Sequence, residues 1–87
     1  MRKVSVRRVW NKLNDGYGNS ILPGMKHNVY SLLNSYITDV NLGDITTRED
    51  FLDGIVDHLC VYFNTPSLGA HLCGVITQWV FDLAEGK

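Results

Sequence analysis

The sequence has few cysteines and no long apolar run. Two cysteines in 87 residues do not require a structural disulfide. No apolar leader follows the basic N-terminus, because Arg7, Arg8 and Lys12 interrupt residues 4–13. The longest weakly polar stretch, residues 68–81, is shorter than the ~20 residues that cross a bilayer. We therefore expect an intracellular, cytoplasmic protein without a membrane span.

Catalytic motifs are also missing. The sequence contains no phosphate-binding glycine loop, no nucleophile elbow and no zinc-hydrolase helix. His58-Leu59-Cys60 and His71-Leu72-Cys73 offer metal-ligand types, but residues two apart on a helix point in nearly opposite directions. A cysteine and histidine paired across two helices is the one catalytic alternative that this spacing leaves open. We expect no enzyme, no metal and no cofactor.

The composition is that of an ordinary folded domain. The apolar fraction is 45% and the charged fraction 20%, and a chain of 87 residues has room for one modest core. No linker or low-complexity run divides it. We expect a single all-α domain over 1–87, a compact bundle of about four helices, with a basic segment at 1–20 and a helical core at 23–86.

The first expected helix is short and cationic. Val6, Val9, Trp10 and Leu13 share one face over residues 6–13. The strict alternation over residues 3–7 favours a short N-terminal strand instead. Residues 14–20 favour a turn, in which Gly16 or Gly18 suits a left-handed helix stop.

Two further helices follow from apolar spacing. Pro23 predicts the start of the second helix, and Thr46, with Glu49 three residues later, has the capping-box form that opens the third. The expected core positions of the second helix are Met25, Val29, Leu32, Leu33, Tyr36 and Val40. Those of the third are Leu52, Ile55, Val56, Leu59 and Phe63.

The last expected helix, from about Ser67 to Ala84, is apolar nearly all round. Its expected core side holds Leu68, Leu72, Val75, Trp79 and Leu83. Its opposite flank carries only small residues: Gly69, Ala70, Cys73, Gly74 and Thr77. This flank either packs inside the monomer or forms a candidate homodimer seam.

Residues 39–49 resemble an EF-hand calcium loop that is one residue short. Asp39, Asn41, Gly43 and Glu49 occupy matching places. Leu42 replaces the ligand expected before the glycine. The alternative is structural: Gly43 ends one helix and Thr46 caps the next.

Charge divides the chain into a basic head and an acidic body. Residues 1–26 hold one acid, Asp15, and six of the eight bases, whereas the rest of the chain holds two bases and eight acids. The expected basic patch is Arg2, Lys3, Arg7, Arg8 and Lys12. The expected acidic stripe is Asp50, Asp53 and Asp57. The two either dock on each other or offer separate surfaces to partners.

By elimination, the sequence favours a binding function. We expect a small non-catalytic module that docks on a larger protein or complex and modulates or inhibits it. In size, charge layout and lack of catalytic motifs the chain is similar to the small accessory inhibitors made by phages and mobile elements. The alternative is a nucleic-acid-binding regulator in which the basic patch neutralises phosphates and Trp10 or Tyr17 stacks on a base.

Overall fold

The chain folds into four antiparallel helices around one core. The computed structural model describes residues 2–87, over which the helices are α1 (Val6–Tyr17), α2 (Lys26–Asn41), α3 (Arg48–Leu59) and α4 (Pro66–Ala84). Short 3₁₀ turns follow α1 and α3. The bundle measures 34 × 22 × 19 Å, and the expected all-α architecture is confirmed.

Each helix packs on its two neighbours in the cyclic order α1, α2, α3, α4 and back to α1. This order places α1 diagonally across the bundle from α3. One core joins all four helices, with Leu13, Leu33, Phe51 and Leu72 fully buried. The basic segment is therefore part of the fold, since α1 contributes Val9 and Leu13 to the core.

The N-terminal segment ahead of α1 is tied to two other helices. The Arg2 amide donates to the Ala84 carbonyl at 2.9 Å. The Asn41 side chain accepts from the Val4 amide at 2.7 Å and donates to the Val4 carbonyl at 3.0 Å. We call residues 2–5 the N-terminal strap. The alternative of a strand over residues 3–7 is wrong, because Ser5 caps a helix that already begins at Val6.

At the opposite end of the bundle the two 3₁₀ connections hold each other. The Leu22 amide donates to the Tyr62 carbonyl at 2.8 Å, and the Asn64 amide donates to the Ser20 carbonyl at 2.9 Å. Ile21 and Phe63 form the one isolated antiparallel bridge found within residues 2–87. These contacts close the bundle at that end.

The expected ends of several helices need correction. α1 continues to Tyr17 instead of turning after Leu13, because the Tyr17 ring packs on Trp79. Neither Gly16 nor Gly18 is left-handed, whereas Gly24, Gly43 and Gly86 are. α2 begins at Lys26, after a turn that contains Pro23. The cap of α3 is Thr47, whose hydroxyl accepts from the Asp50 amide, and not Thr46.

On two helices the buried side differs from the one that the apolar spacing predicts. On α3 the buried residues are Phe51, Ile55 and Leu59, while Leu52 and Val56 are only half-buried. On α4 three residues of the small flank face the core, since Gly69, Cys73 and Thr77 are buried. Of the expected core side Leu72 is fully buried, whereas Val75 and Trp79 are only half-buried.

Candidate functional site

The basic patch lies on the outer side of α1 and on the strap, and all five of its side chains are exposed. Two of the cations rest on aromatic rings of neighbouring helices. The Arg7 guanidinium lies 5.7 Å from the centroid of Tyr30 on α2, and the Lys12 ammonium lies 5.2 Å from the centroid of Trp79 on α4. Such contacts hold a cation near the surface without neutralising it.

The other three cations of the patch line one cleft. It has a volume of about 180 Å³ and lies between the strap, the start of α1 and the end of α4. Its lining is Arg2, Lys3, Ser5, Arg8, Leu83, Gly86 and Lys87. We call it the basic cleft.

No cation of the basic patch forms an ion pair with a carboxylate anywhere in residues 2–87. The acidic residues at the end of α4 form ion pairs with cations outside the basic patch. Arg48 lies 3.7 Å from Asp82 and 3.6 Å from Glu85, and Lys87 lies 3.2 Å from Glu85. The positive charge of the patch therefore remains available to an external anion.

The two aromatic rings expected to stack on a base are already packed. Trp10 is half-buried and meets Tyr30 edge to face, with ring centroids 5.7 Å apart. Tyr17 is half-buried against Trp79 at 6.3 Å. Each ring therefore has less free surface on which a base could stack.

The acidic stripe occupies the outer side of α3. Asp50, Asp53 and Asp57 are exposed, and no ion pair within residues 2–87 involves them. Because α1 and α3 lie on a diagonal of the bundle, the basic patch cannot dock on the acidic stripe of the same chain. The self-docking alternative is therefore wrong.

A tyrosine and a histidine lie beside the acidic stripe. The Tyr36 hydroxyl donates to the Gly54 carbonyl at 3.0 Å and lies 2.8 Å from Nδ1 of His58. Nδ1 of His58 is itself 3.0 Å from that carbonyl, which fits an Nδ1–H tautomer donating to it. Burial raises the pKa of Tyr36, and the charges of Asp57 and Asp39 raise it further. Tyr36 is therefore a hydroxyl donor and not a base.

The candidate dimer seam is divided between interior and surface. Gly69, Cys73 and Thr77 are buried within the monomer, and the Thr77 hydroxyl donates to the Cys73 carbonyl at 2.8 Å. Ala70 is exposed, and Gly74 is half-buried with open space where a Cβ would stand. The five residues do not share one surface, so a dimer contact there is left with Ala70 and Gly74.

The two His-Leu-Cys triplets place their members in different surroundings. His58 and His71 are exposed, Cys60 is half-buried and Cys73 is buried. No group of three or more metal-ligating side chains comes together within residues 2–87. Burial raises the pKa of Cys73 to about 12, and nearby Cys60 adds to the shift. Cys73 is therefore a protonated, unreactive thiol at neutral pH.

This difference predicts unequal thiol chemistry. At pH 8 a disulfide reagent such as DTNB should modify Cys60 at least about a hundredfold faster than Cys73, whose reaction requires the core to open. The Cys73→Ser variant should keep the fast reaction and Cys60→Ser should lose it, while both react fully in guanidinium chloride. Equal rates in the two folded variants would show that Cys73 is not enclosed.

The resemblance of residues 39–49 to a calcium loop does not extend to their structure. α2 runs through Asn41, so Asp39 and Asn41 lie on its last turn. The Asn41 amide is occupied by the Val4 backbone. Gly43 is left-handed, and the Asp44 amide donates to the Asp39 carbonyl at 2.8 Å. The segment is an ordinary helix end followed by a capped helix.

Two arrangements of residues around the basic cleft could hardly be predicted from the sequence. The gathering of Lys87 with Arg2, Lys3 and Arg8 depends on α1 and α4 lying side by side in opposite directions. The clamp of Asn41 on Val4 joins residues 37 positions apart, and the calcium-loop resemblance that includes Asn41 gives no indication of this contact. Only the charge asymmetry could have indicated the cleft.

Comparison of the chain with protein-family models, with curated proteins and with solved structures finds no match. No helix within residues 2–87 is long and apolar enough to span a membrane. The function must therefore be inferred from the residues of the chain itself.

Proposed function

We propose that this protein is a small non-catalytic binding module that docks on a larger protein and modulates or inhibits it. The observation that supports this function is the separation of its two charged surfaces. The basic patch and the acidic stripe lie on diagonal helices, and neither is neutralised within residues 2–87. Charged surfaces of this kind steer encounters and select partners of complementary charge.

The acidic stripe is the surface that best suits a protein partner. Asp50, Asp53 and Asp57 lie along successive turns of α3, a rigid helix whose other side is anchored by Phe51, Ile55 and Leu59. Tyr36 and His58 lie next to the stripe and give it an aromatic border. A partner with a basic surface, rich in arginine, would meet carboxylates without having to reorder the helix.

Neutralising two acids of the stripe tests this proposal. In the D53N/D57N variant we expect affinity for a captured partner to fall at least tenfold. The two substitutions remove negative charges beyond the first turn of α3 and leave the shape of the side chains nearly unchanged. The partner is first isolated from native host lysate after nuclease treatment, and its dissociation constant is then measured with purified components.

A matched control removes the same charge elsewhere. Asp15 on α1 and Asp44 in the loop before α3 are exposed, so D15N/D44N changes the net charge equally and should leave affinity nearly unchanged. If both variants bind like the parent protein, or if both weaken binding equally, the acidic stripe is not the docking surface.

Nucleic-acid binding is the second candidate, and the unneutralised basic patch favours it. Its test is the salt dependence of affinity for a generic duplex or single strand, which should be steep if Arg7 and Arg8 contact phosphates. R7E/R8E should then abolish binding. The packing of Trp10 and Tyr17 against other rings weighs against base stacking, and this is why we place the protein partner first.

A further inference from the structure

The basic cleft has the features of an anion site. Arg2, Lys3 and Arg8 line a space of about 180 Å³, well above the ~10–15 Å³ that one water molecule requires. None of these three cations has a carboxylate partner within residues 2–87. The fourth cation, Lys87, is shared with Glu85 at 3.2 Å. Like charges gathered around a cavity repel one another unless an anion lies between them.

We propose that the basic cleft binds the phosphate group of a small phosphorylated molecule. Two guanidinium groups can each present paired N–H donors to phosphate oxygens, and Lys3 adds a mobile ammonium. The Ser5 hydroxyl oxygen accepts from the Arg8 amide at 3.3 Å, so its own hydrogen is free to donate. Ser5 also caps α1, and the partial positive charge at the start of that helix adds to the field.

The cleft is held in shape before any ligand arrives. Val4 is buried, and its amide and carbonyl are both bound by the Asn41 side chain. The Arg2 amide is bound by the Ala84 carbonyl at 2.9 Å. Arg2 lies along the left-handed Gly86, where a Cβ would come within 3.1 Å of its Nε atom. These bonds fix the backbone of the strap before binding, so only the side chains of the cations remain to be ordered by a ligand.

A small ligand fits this cleft better than a nucleic-acid strand does. A strand would need several phosphate contacts along a track, together with free rings for its bases. Here three unpaired cations line one open cleft, while Arg7 lies on Tyr30 outside it. The proposal does not depend on the acidic stripe, so D53N/D57N should bind phosphate like the parent protein.

The test is a titration of the full chain with inorganic phosphate, followed by ¹H–¹⁵N NMR at constant ionic strength. We expect saturable shifts in the amides of residues 2–8 and 83–87, with a dissociation constant on the order of 1 mM or lower. A small phosphate monoester such as glycerol phosphate should shift the same amides. Chloride at equal ionic strength should not.

Variants separate the cleft from general surface charge. R2Q and R8Q should each weaken phosphate binding about fivefold or more, since each removes a charged donor pair. R7Q removes the same charge outside the cleft and should leave affinity unchanged. Thermal melts should show all three variants folded, because the substituted side chains are exposed.

Several results would overturn the proposal. The chemical shifts could rise linearly without saturating, chloride could reproduce them, or R7Q could reduce them as much as R8Q does. Each of these results would show that the cations form a diffuse positive surface and not a phosphate site. Binding of a DNA duplex without binding of inorganic phosphate or glycerol phosphate would assign the cations to nucleic acid instead.

Discussion

Replacing Gly69 by alanine is expected to lower the free energy of unfolding by about 1–3 kcal/mol, the usual cost of forcing an extra group into a packed core. A Cβ at this position would stand 2.6 Å from the carbonyl oxygen of Cys60 and 2.9 Å from its Cα atom. Both are backbone atoms, so a change of rotamer cannot relieve the overlap. α4 or the 3₁₀ turn after α3 must move.

Gly74→Ala is the matched control on the same helix. Apart from its chain neighbours and the backbone of its own helix, no atom lies within 4 Å of the position that its Cβ would occupy. Alanine is a better helix former than glycine by roughly 1 kcal/mol, so this variant should be more stable than the parent protein. Urea denaturation measures both, and the change should lie in the midpoint with the slope retained. Equal effects of the two substitutions would contradict the close approach of α4 to Cys60.

Asn41→Ala is expected to destabilise the protein by about 1–3 kcal/mol, because it leaves the amide and the carbonyl of buried Val4 without partners. It should also release the strap. The amides of Arg2 and Val4, which are hydrogen-bonded in the parent protein, should exchange with solvent much faster in the variant, and phosphate binding should weaken as well.

Asn34→Ala provides the comparison on α2. Asn34 is exposed, and no hydrogen bond of its side chain is found within residues 2–87, so this substitution should stay within about 0.5 kcal/mol of the parent protein. If Asn41→Ala were equally mild and left the exchange of Arg2 and Val4 unchanged, the strap would not depend on the clamp.

The sequence predicts the number and type of elements better than their rotation. Apolar spacing identifies α2, α3 and α4 because each buries one side. On α4 the apolar pattern does not show which side is buried, since the helix is apolar nearly all round. Both the bulky side and the small side could face the core. Gly69, Cys73 and Thr77 of the small side are buried, and at Gly69 the lack of a side chain lets α4 approach Cys60 closely.

Local sequence signals give the wrong helix end or cap where contacts between distant residues determine it. Gly16 favours a helix stop, yet α1 continues to Tyr17 because that ring packs on Trp79. Thr46 and Thr47 are both credible caps, and only the structure shows the Thr47 hydroxyl accepting from Asp50. Charge asymmetry indicated two surfaces, but their separation depends on the cyclic order of the helices, which no local pattern encodes.

The basic cleft lies at the limit of what sequence can show. Arg2, Lys3 and Arg8 are visible in the sequence as a basic cluster, whereas the cleft that they line also needs the end of α4 and the clamp on Val4. The same limit applies to Arg48. It contacts the carboxylates of Asp82 and Glu85 and the ring of Phe81 on α4, and no local pattern in the sequence indicates these contacts.

The separation of the two charged surfaces is tested most directly by a thermodynamic cycle of charge reversals. R8E/K12E reverses two cations on α1, D53K/D57K reverses two acids on α3, and the combined variant carries all four changes. The free energy of unfolding of each is measured in urea at 0.15 M salt. We predict that the two effects add to within about 0.5 kcal/mol, because surfaces on diagonal helices are screened from each other. A combined variant that regained more than about 1 kcal/mol of the summed losses would show that the surfaces pair within one molecule, contrary to the structure.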